Sequence, residues 1–142
     1  MPESDQYLLR LHHLGYVVAS ISEIVESFVK SVNGSWSGSV YHDPIQKVRV
    51  TFIDTPGTNV QIELVEPADD HSPVGAFLES GGGLHHLCYE VGDCEKALRR
   101  VREGSGMIVR RPKPAVAFGG RKIAWAMTAE KLLIELLETG DA

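Results

Sequence analysis

Two short motifs whose residues can bind a metal ion occur twice in this sequence. Leu-His-His-Leu occupies residues 11–14 and again 84–87, and Ile-Glu-Leu occupies residues 62–64 and again 134–136. The second histidine precedes the glutamate by 50 residues in the first half and by 49 in the second. One repeated motif alone carries little weight. Both motifs at matched offsets indicate two copies of a module of about 70 residues.

The repeated histidines and glutamates predict a metal centre. Side chains alternate between the two faces of a strand, so each glutamate lies opposite its apolar neighbours. If the apolar residues pack against a helix, pairing the two modules brings two imidazoles and two carboxylates together. That donor set suits one divalent ion such as Zn, Co, Ni or Mn, and two carboxylates neutralise its charge. The candidate glutamates are Glu63 and Glu135.

The repeat alone leaves open which histidine of each motif is the ligand. His12 and His85 hold equivalent positions in the two copies, and so do His13 and His86. Both assignments satisfy the same spacing, so the residues themselves do not decide between them.

Local patterns predict the order β-α-β-β-β in each half. In the first half, Ser20 is a predicted helix N-cap. Asp93 stands 73 residues later and is the predicted N-cap of the second helix. The strands are predicted over 8–18, within 35–41, and over 48–53, 59–65, 84–91, 107–110, 122–127 and 132–137.

These elements predict one α+β domain covering residues 1–142. Module one spans about 8–68, a short linking helix about 73–80, and module two about 84–138. Together the modules are expected to form a curved, mostly antiparallel, eight-stranded cup with the helices outside. Ser72 is the predicted N-cap of the linking helix, and Pro73 is its predicted first residue.

Composition and charge exclude several classes of protein. The chain has 142 residues, of which 43% are hydrophobic, and a formal net charge of −5. An acidic chain is a poor partner for nucleic acid, and no apolar run approaches the ~20 residues of a membrane span. The first residues lack the pattern of a signal peptide, and two cysteines make no disulfide framework. We therefore expect a cytoplasmic protein that binds neither nucleic acid nor membranes.

The segment 72–91, which runs through a Gly-rich link into Leu-His-His-Leu, resembles the vicinal oxygen chelate (glyoxalase/bleomycin resistance/dioxygenase) superfamily. Within it the chain is most similar to the methylmalonyl-CoA epimerase family. The segments 46–52, 62–67, 111–114 and 132–136 also fit, and the likeness spans about 8–138. This resemblance implies two βαβββ modules around a divalent metal, with His13, Glu63, His86 and Glu135 as the ligands.

The resemblance also implies an activity. An epimerase of this family removes the proton α to a thioester carbonyl and returns it to the other face. A small acyl thioester of the methylmalonyl-CoA type is then the expected substrate, with Glu135 as first candidate for the base and Glu63 as second. A homodimer is also expected. Three alternatives remain open: a glyoxalase I-type lactoylglutathione lyase, an extradiol-type iron dioxygenase, and a metal-free small-molecule binding or resistance protein of the same fold.

A group of basic residues precedes the penultimate predicted strand. We interpret this group as part of a loop, which either binds the phosphates of CoA or is a solvated surface. Its members are Arg110, Arg111, Lys113, Arg121 and Lys122. Three aromatic residues, Trp36, Tyr89 and Trp125, are predicted either to line the cup or to belong to the core.

Overall fold

A computed structural model describes residues 10–140 of the chain. These residues form two compact units, which we call the first unit (13–85) and the second unit (10–12 with 86–140). Helices and strands occur in both, so the predicted α+β class is confirmed. Residues 8 and 9 of the first predicted strand lie outside the described residues.

The first unit contains a sheet that is antiparallel except for one pairing. The strand order is β2-β4-β5-β1, with β3 also paired to β4, and only β1 and β5 run parallel. Its elements are β1 (Arg10–Val17, of which 13–17 belong to this unit), α1 (Ile21–Ser31), β2 (Ser35–Trp36), β3 (Tyr41–Asp43), β4 (Val48–Asp54), β5 (Gln61–Pro67) and α2 (Gly75–Glu79).

The short strand predicted within 35–41 is present as β2, but a second strand, β3, was not predicted. Residues 37–40 separate the two, and Gly38 among them has a φ of +89°. The two strands pair with different parts of β4, since Ser35 lies opposite Asp54 and Tyr41 lies opposite Val50. Over residues 10–140 the structure therefore has nine strands where eight were predicted.

The second unit repeats this arrangement with longer outer strands. Its strand order is β6-β9-β8-β7, in which β6 and β9 run parallel and the other pairs antiparallel. Its elements are β6 (Gly83–Val91, of which 86–91 belong to this unit), α3 (Cys94–Glu103), β7 (Met107–Pro114), a 3-10 turn (Val116–Phe118), β8 (Lys122–Met127) and β9 (Leu133–Glu138).

Both long helices begin at the predicted caps. The Ser20 hydroxyl accepts a hydrogen bond from the Glu23 amide at 3.4 Å, and the Asp93 carboxylate accepts one from the Lys96 amide at 3.1 Å. These side chains satisfy amide groups that a helix leaves without partners at its N-terminus. Each helix therefore starts at a position that its sequence specifies.

The chain leaves both helices through the same turn. Asn33 and Ser105 have positive φ angles of 54° and 68°. Each precedes a glycine, Gly34 or Gly106, at which an added Cβ would lie only 2.6 Å from a neighbouring atom. Glycine is therefore required where the chain passes close to the sheet in each unit.

The linking helix begins later than predicted. Ser72 does form a turn, because its carbonyl oxygen accepts the Gly75 amide at 3.1 Å, but α2 starts only at Gly75. Its exit requires glycine, since Gly82 has a φ of +68° and a Cβ there would lie 2.8 Å from the Val17 carbonyl oxygen.

In the part of the chain that the structure describes, every helix is too short or too polar to traverse a lipid bilayer.

Candidate metal centre

In the first unit, a buried histidine and a buried glutamate come together from neighbouring parallel strands. His13 Nε2, on β1, lies 3.3 Å from Glu63 Oε1, on β5, and their side chains are only 0% and 6% exposed. Ile62 and Leu64, on either side of the glutamate, pack in the cluster that includes α1. The alternation predicted for β5 thus holds, with the carboxylate on the face away from the helix.

The second unit contains an equivalent pair. His86 Nε2, on β6, lies 3.4 Å from Glu135 Oε1, on β9, and the side chains are 3% and 4% exposed. Ile134 and Leu136 belong to the core cluster that includes α3. The two units therefore place the same two functional groups on equivalent strands at nearly the same separation.

The first histidine of each Leu-His-His-Leu motif has different surroundings. The His12 ring meets the Phe118 ring edge-on at a centroid distance of 5.6 Å, and the His85 ring meets that of Phe77 at 4.8 Å. Both histidines are half-buried. Within each unit, it is the second histidine of the motif that the structure brings to the glutamate.

Aromatic rings cover the buried imidazoles. The Phe52 ring lies 5.6 Å from that of His13, and the Trp125 ring 4.7 Å from that of His86, both edge-on. The other two aromatic candidates belong to the helix side of their sheets. Trp36 packs in the α1 cluster and Tyr89 packs against the α3 cluster.

A second glutamate on the same strand as the first, β5 or β9, connects that strand to the helix of its unit. Glu66 Oε1 accepts the Ile21 amide at 2.8 Å, and Glu138 Oε2 accepts the Cys94 amide at 3.0 Å. A carboxylate at a helix N-terminus satisfies a donor and interacts favourably with the helix dipole.

Sequence reasoning missed this second glutamate, although a signal was present. The repeated Ile-Glu-Leu extends in both copies to Ile-Glu-Leu-x-Glu, at residues 62–66 and 134–138. An offset of three places the second glutamate on the opposite face of the strand from the first, towards the helix.

The buried thiol of Cys94 is held in its protonated form. Burial, together with the nearby negative charge of Glu138, raises the pKa of the Cys94 thiol to about 12. Only a thiolate acts as a nucleophile or a good metal ligand. Cys94 is therefore a core residue at neutral pH.

Glu90, on β6, is held by two arginines. Its carboxylate lies 2.7 Å from Arg121 Nη2 and 3.2 Å from Arg10 Nε. Burial acts to raise the pKa of Glu90, but the hydrogen bonds and charges of Arg121 and Arg10 together hold it below its ordinary value. Arg121 also donates from Nε to the Glu138 carbonyl at 2.8 Å. This member of the predicted basic group thus has a structural role.

The interpretation of residues 111–114 as a loop was wrong. Strand β7 continues to Pro114, so Arg110, Arg111 and Lys113 lie on a strand. Proline is compatible with that strand because β7 stands last in the strand order and carries two register shifts.

Comparison with known families agrees with this architecture. The model of the Glyoxalase/Bleomycin resistance protein/Dioxygenase superfamily matches residues 12–125. The chain belongs to this superfamily.

Several similar proteins are methylmalonyl-CoA epimerases. The ethylmalonyl-CoA/methylmalonyl-CoA epimerase of Cereibacter sphaeroides is 31% identical over 116 residues, covering 80% of this chain and 84% of that protein. The crystal structure of methylmalonyl-CoA epimerase from Mycobacterium tuberculosis has a TM-score of 0.83 at 25% identity, covering 96% and 91% of the two chains.

A third likeness concerns the fold alone. A variant of Streptomyces coelicolor methylmalonyl-CoA epimerase, in complex with 2-nitronate-propionyl-CoA, has a TM-score of 0.78 at 22% identity. The match covers 94% of this chain and 99% of that chain.

Proposed function

We propose that this protein is a metal-dependent epimerase acting on a small acyl thioester of the methylmalonyl-CoA type through an enolate. Two lines of support combine. The chain shares its superfamily and 31% identity with an ethylmalonyl-CoA/methylmalonyl-CoA epimerase. The observation that carries the proposal is the buried histidine–glutamate pair that each unit holds at an equivalent position.

The donor atoms of each pair suit a divalent transition metal. With metal–nitrogen and metal–oxygen bonds near 2.0–2.2 Å, two ligands of one ion lie about 3.0 Å apart in octahedral and about 3.4 Å apart in tetrahedral geometry. The observed separations are 3.3 and 3.4 Å. A buried carboxylate is also costly unless a positive charge compensates it. Zn, Co, Ni and Mn are the candidate ions.

We further propose that both pairs bind the same ion. A pair supplies two ligands, whereas protein sites for such metals usually take three or four protein groups. A single pair also supplies one carboxylate and would leave half of a 2+ charge uncompensated. The proposed ligands are His13, Glu63, His86 and Glu135.

A bound divalent ion would supply Lewis-acid stabilisation of the negative charge that develops on a thioester carbonyl oxygen. The chain itself supplies the proton transfers. We assign Glu135 as the base that takes the α proton, and Glu63 as the group that donates a different proton, first taken up from solvent, to the opposite face of the enolate. Carboxylates serve as general acids and bases when held close to the reacting carbon. The rings of Phe52 and Trp125 limit the access of water to the imidazoles beside them.

The experiment follows the α proton of methylmalonyl-CoA. In deuterated buffer, the wild-type protein should exchange this proton for deuterium, observed by NMR. Glu135→Gln should slow the exchange by about a hundredfold or more, as expected when a general base is removed. Glu130→Gln, an exposed residue before β9, is the matched control and should retain the wild-type rate. Full exchange by Glu135→Gln would remove Glu135 from the role of base.

The same preparation separates the alternatives. Formation of lactoylglutathione from the glutathione hemithioacetal, with no α-proton exchange in methylmalonyl-CoA, would indicate a glyoxalase I-type lyase. Iron in the purified protein, with oxygen-dependent ring cleavage of a catechol, would indicate a dioxygenase. Ligand binding by a metal-free protein with no turnover would indicate a binding or resistance protein.

A further inference from the structure

Two basic residues of β7 are paired, through residues of β8, with residues of β9 in the sheet of the second unit. Arg110 lies opposite Trp125, which lies opposite Glu135. Lys113 lies opposite Ile123, and Ile123 lies opposite Leu137. Partners on adjacent strands point to the same face of a sheet. Arg110 and Lys113 therefore lie on the face that carries Glu135.

His86 lies on the same face of the sheet as Glu135, whereas Arg111 lies on the opposite face. The Trp125 ring contacts His86 at 4.7 Å, on the side of the sheet away from α3. Arg111, next along the strand, lies with Nη1 3.2 Å from Glu95 Oε2, on α3. The two consecutive arginines thus serve opposite faces of the sheet.

Two register shifts in β7 produce this placement. The pairing starts regularly, with Ile108 opposite Ala126, and shifts by one residue before Arg110 and again before Lys113. Without the shifts, Val109 would stand opposite Trp125, and Arg111 opposite Ile123. β-Bulges next to active sites often redirect a side chain in this way. Here they exchange an apolar residue for a cation in the row that contains Glu135.

The distance suits contact with a group bound near Glu135. Adjacent strands lie about 4.8 Å apart, so the Cα atoms of Arg110 and Glu135, two strands apart, are separated by roughly 10 Å. An extended arginine side chain covers much of that distance.

We propose that Arg110 and Lys113 form an anion-binding edge that receives anionic oxygens of the substrate. This inference rests on the proposed function and specifies which part of its substrate is bound here, namely the free carboxylate of the acyl group or the phosphates of CoA. The planar guanidinium of Arg110 binds either group through two parallel hydrogen bonds, while Lys113 adds a point charge.

The test measures the affinity of three thioesters by calorimetry, together with KM and kcat for exchange. Methylmalonyl-CoA carries both anions, propionyl-CoA carries only the phosphates, and methylmalonyl-N-acetylcysteamine carries only the carboxylate. Arg110→Gln should weaken methylmalonyl-CoA binding and raise KM by about tenfold or more, since hydrogen bonds to charged groups contribute roughly 1.5–3 kcal/mol. Lys113→Gln should have a smaller effect in the same direction.

Arg111→Gln is the matched control, because it removes one positive charge from the same strand on the other face. Its affinity and KM should stay within about twofold of wild type, as is usual for exposed charges. A loss in Arg110→Gln confined to propionyl-CoA and methylmalonyl-CoA assigns the phosphates, and a loss confined to the two methylmalonyl thioesters assigns the carboxylate. Equal values for Arg110→Gln and Arg111→Gln with all three probes would overturn the proposal. Binding that depends on Arg110 without any α-proton exchange in wild type would overturn the proposed epimerase alone.

Discussion

The two units are alike in the residues that we propose as metal ligands and differ in the residues around them. Each has a buried histidine–glutamate pair, a second glutamate on the helix N-terminus, and the same turn after its helix. The faces around these pairs differ. Beside Glu63 the neighbouring strands carry Phe52, Val50 and Tyr41, whereas beside Glu135 they carry Trp125 and Arg110.

This difference can be related to two physical demands of the proposed function. A proposed metal ligand needs a fixed position, and the strand pairings and helix attachments that would provide it are alike in both units. The proposed substrate has charged groups that need a cation, and of the residues named above only Arg110 of the second unit is one. In the proposed function, the shared features would position the ligands and the differing residues would select the substrate.

The largest expected effect concerns the two histidines. If both pairs bind one ion, wild type contains one ion per chain, and His13→Ala and His86→Ala each lose it. The loss of metal affinity should exceed the roughly 10- to 100-fold loss that is typical when a residue hydrogen-bonded to a metal ligand is removed. Metal content is measured by mass spectrometry after dialysis against a weak chelator.

The neighbouring histidines serve as controls for that experiment. His12→Ala and His85→Ala remove an imidazole from the same strands and should retain the ion. Two ions in wild type, with one remaining after either His13→Ala or His86→Ala, would show that each unit binds its own metal.

A smaller effect is expected at the glutamates that hold the helices. Glu66→Ala and Glu138→Ala each remove a carboxylate from a helix N-terminus and should lower the free energy of unfolding by about 1–2 kcal/mol. The two losses should be similar, because the Arg49 side chain that pairs with Glu66 is 42% exposed and a partly exposed ion pair adds little. Urea unfolding measures both values.

Glu130→Ala, at an exposed position, is the control for the two substitutions and should be nearly neutral. Losses that differ by more than about 1 kcal/mol would show that the attachment of the helices is not equivalent in the two units.

The smallest effect concerns Glu90, whose counterpart 73 residues earlier is the buried Val17. In the folded protein the pKa of Glu90 lies below its ordinary value of 4.5. Its stabilising contribution is therefore present above about pH 4.5 and is lost as the pH falls through the folded pKa. As the pH falls below about 4.5, the free energy of unfolding of Glu90→Gln should decrease less than that of wild type, as measured by urea midpoints. Parallel profiles for the two proteins would contradict this assignment.

Patterns local to the chain predicted much of the fold. Ser20 and Asp93 marked the helix starts, because capping depends on residues only three apart in sequence. The alternation around Glu63 and Glu135 predicted which residues face the helices, since a strand has a period of two. The repeat also singled out the histidine-bearing motifs, because both copies keep nearly the same spacing to their glutamate.

Features that depend on pairing between distant strands were not predictable in this way. The split between β2 and β3 follows from their pairing with separate parts of β4. The continuation of β7 through its prolines was also not predicted, since proline is excluded from central strands and only the strand order places β7 last.

By itself, the sequence predicted two copies of one module, each with a histidine and a glutamate on predicted strands. Only the tertiary structure decided which of two adjacent histidines meets the glutamate, and which of two adjacent arginines shares its face. Neighbouring residues on a strand have nearly the same local preferences, but they point to opposite faces. A shift of register by one residue exchanges them, and register is set by the partner strand.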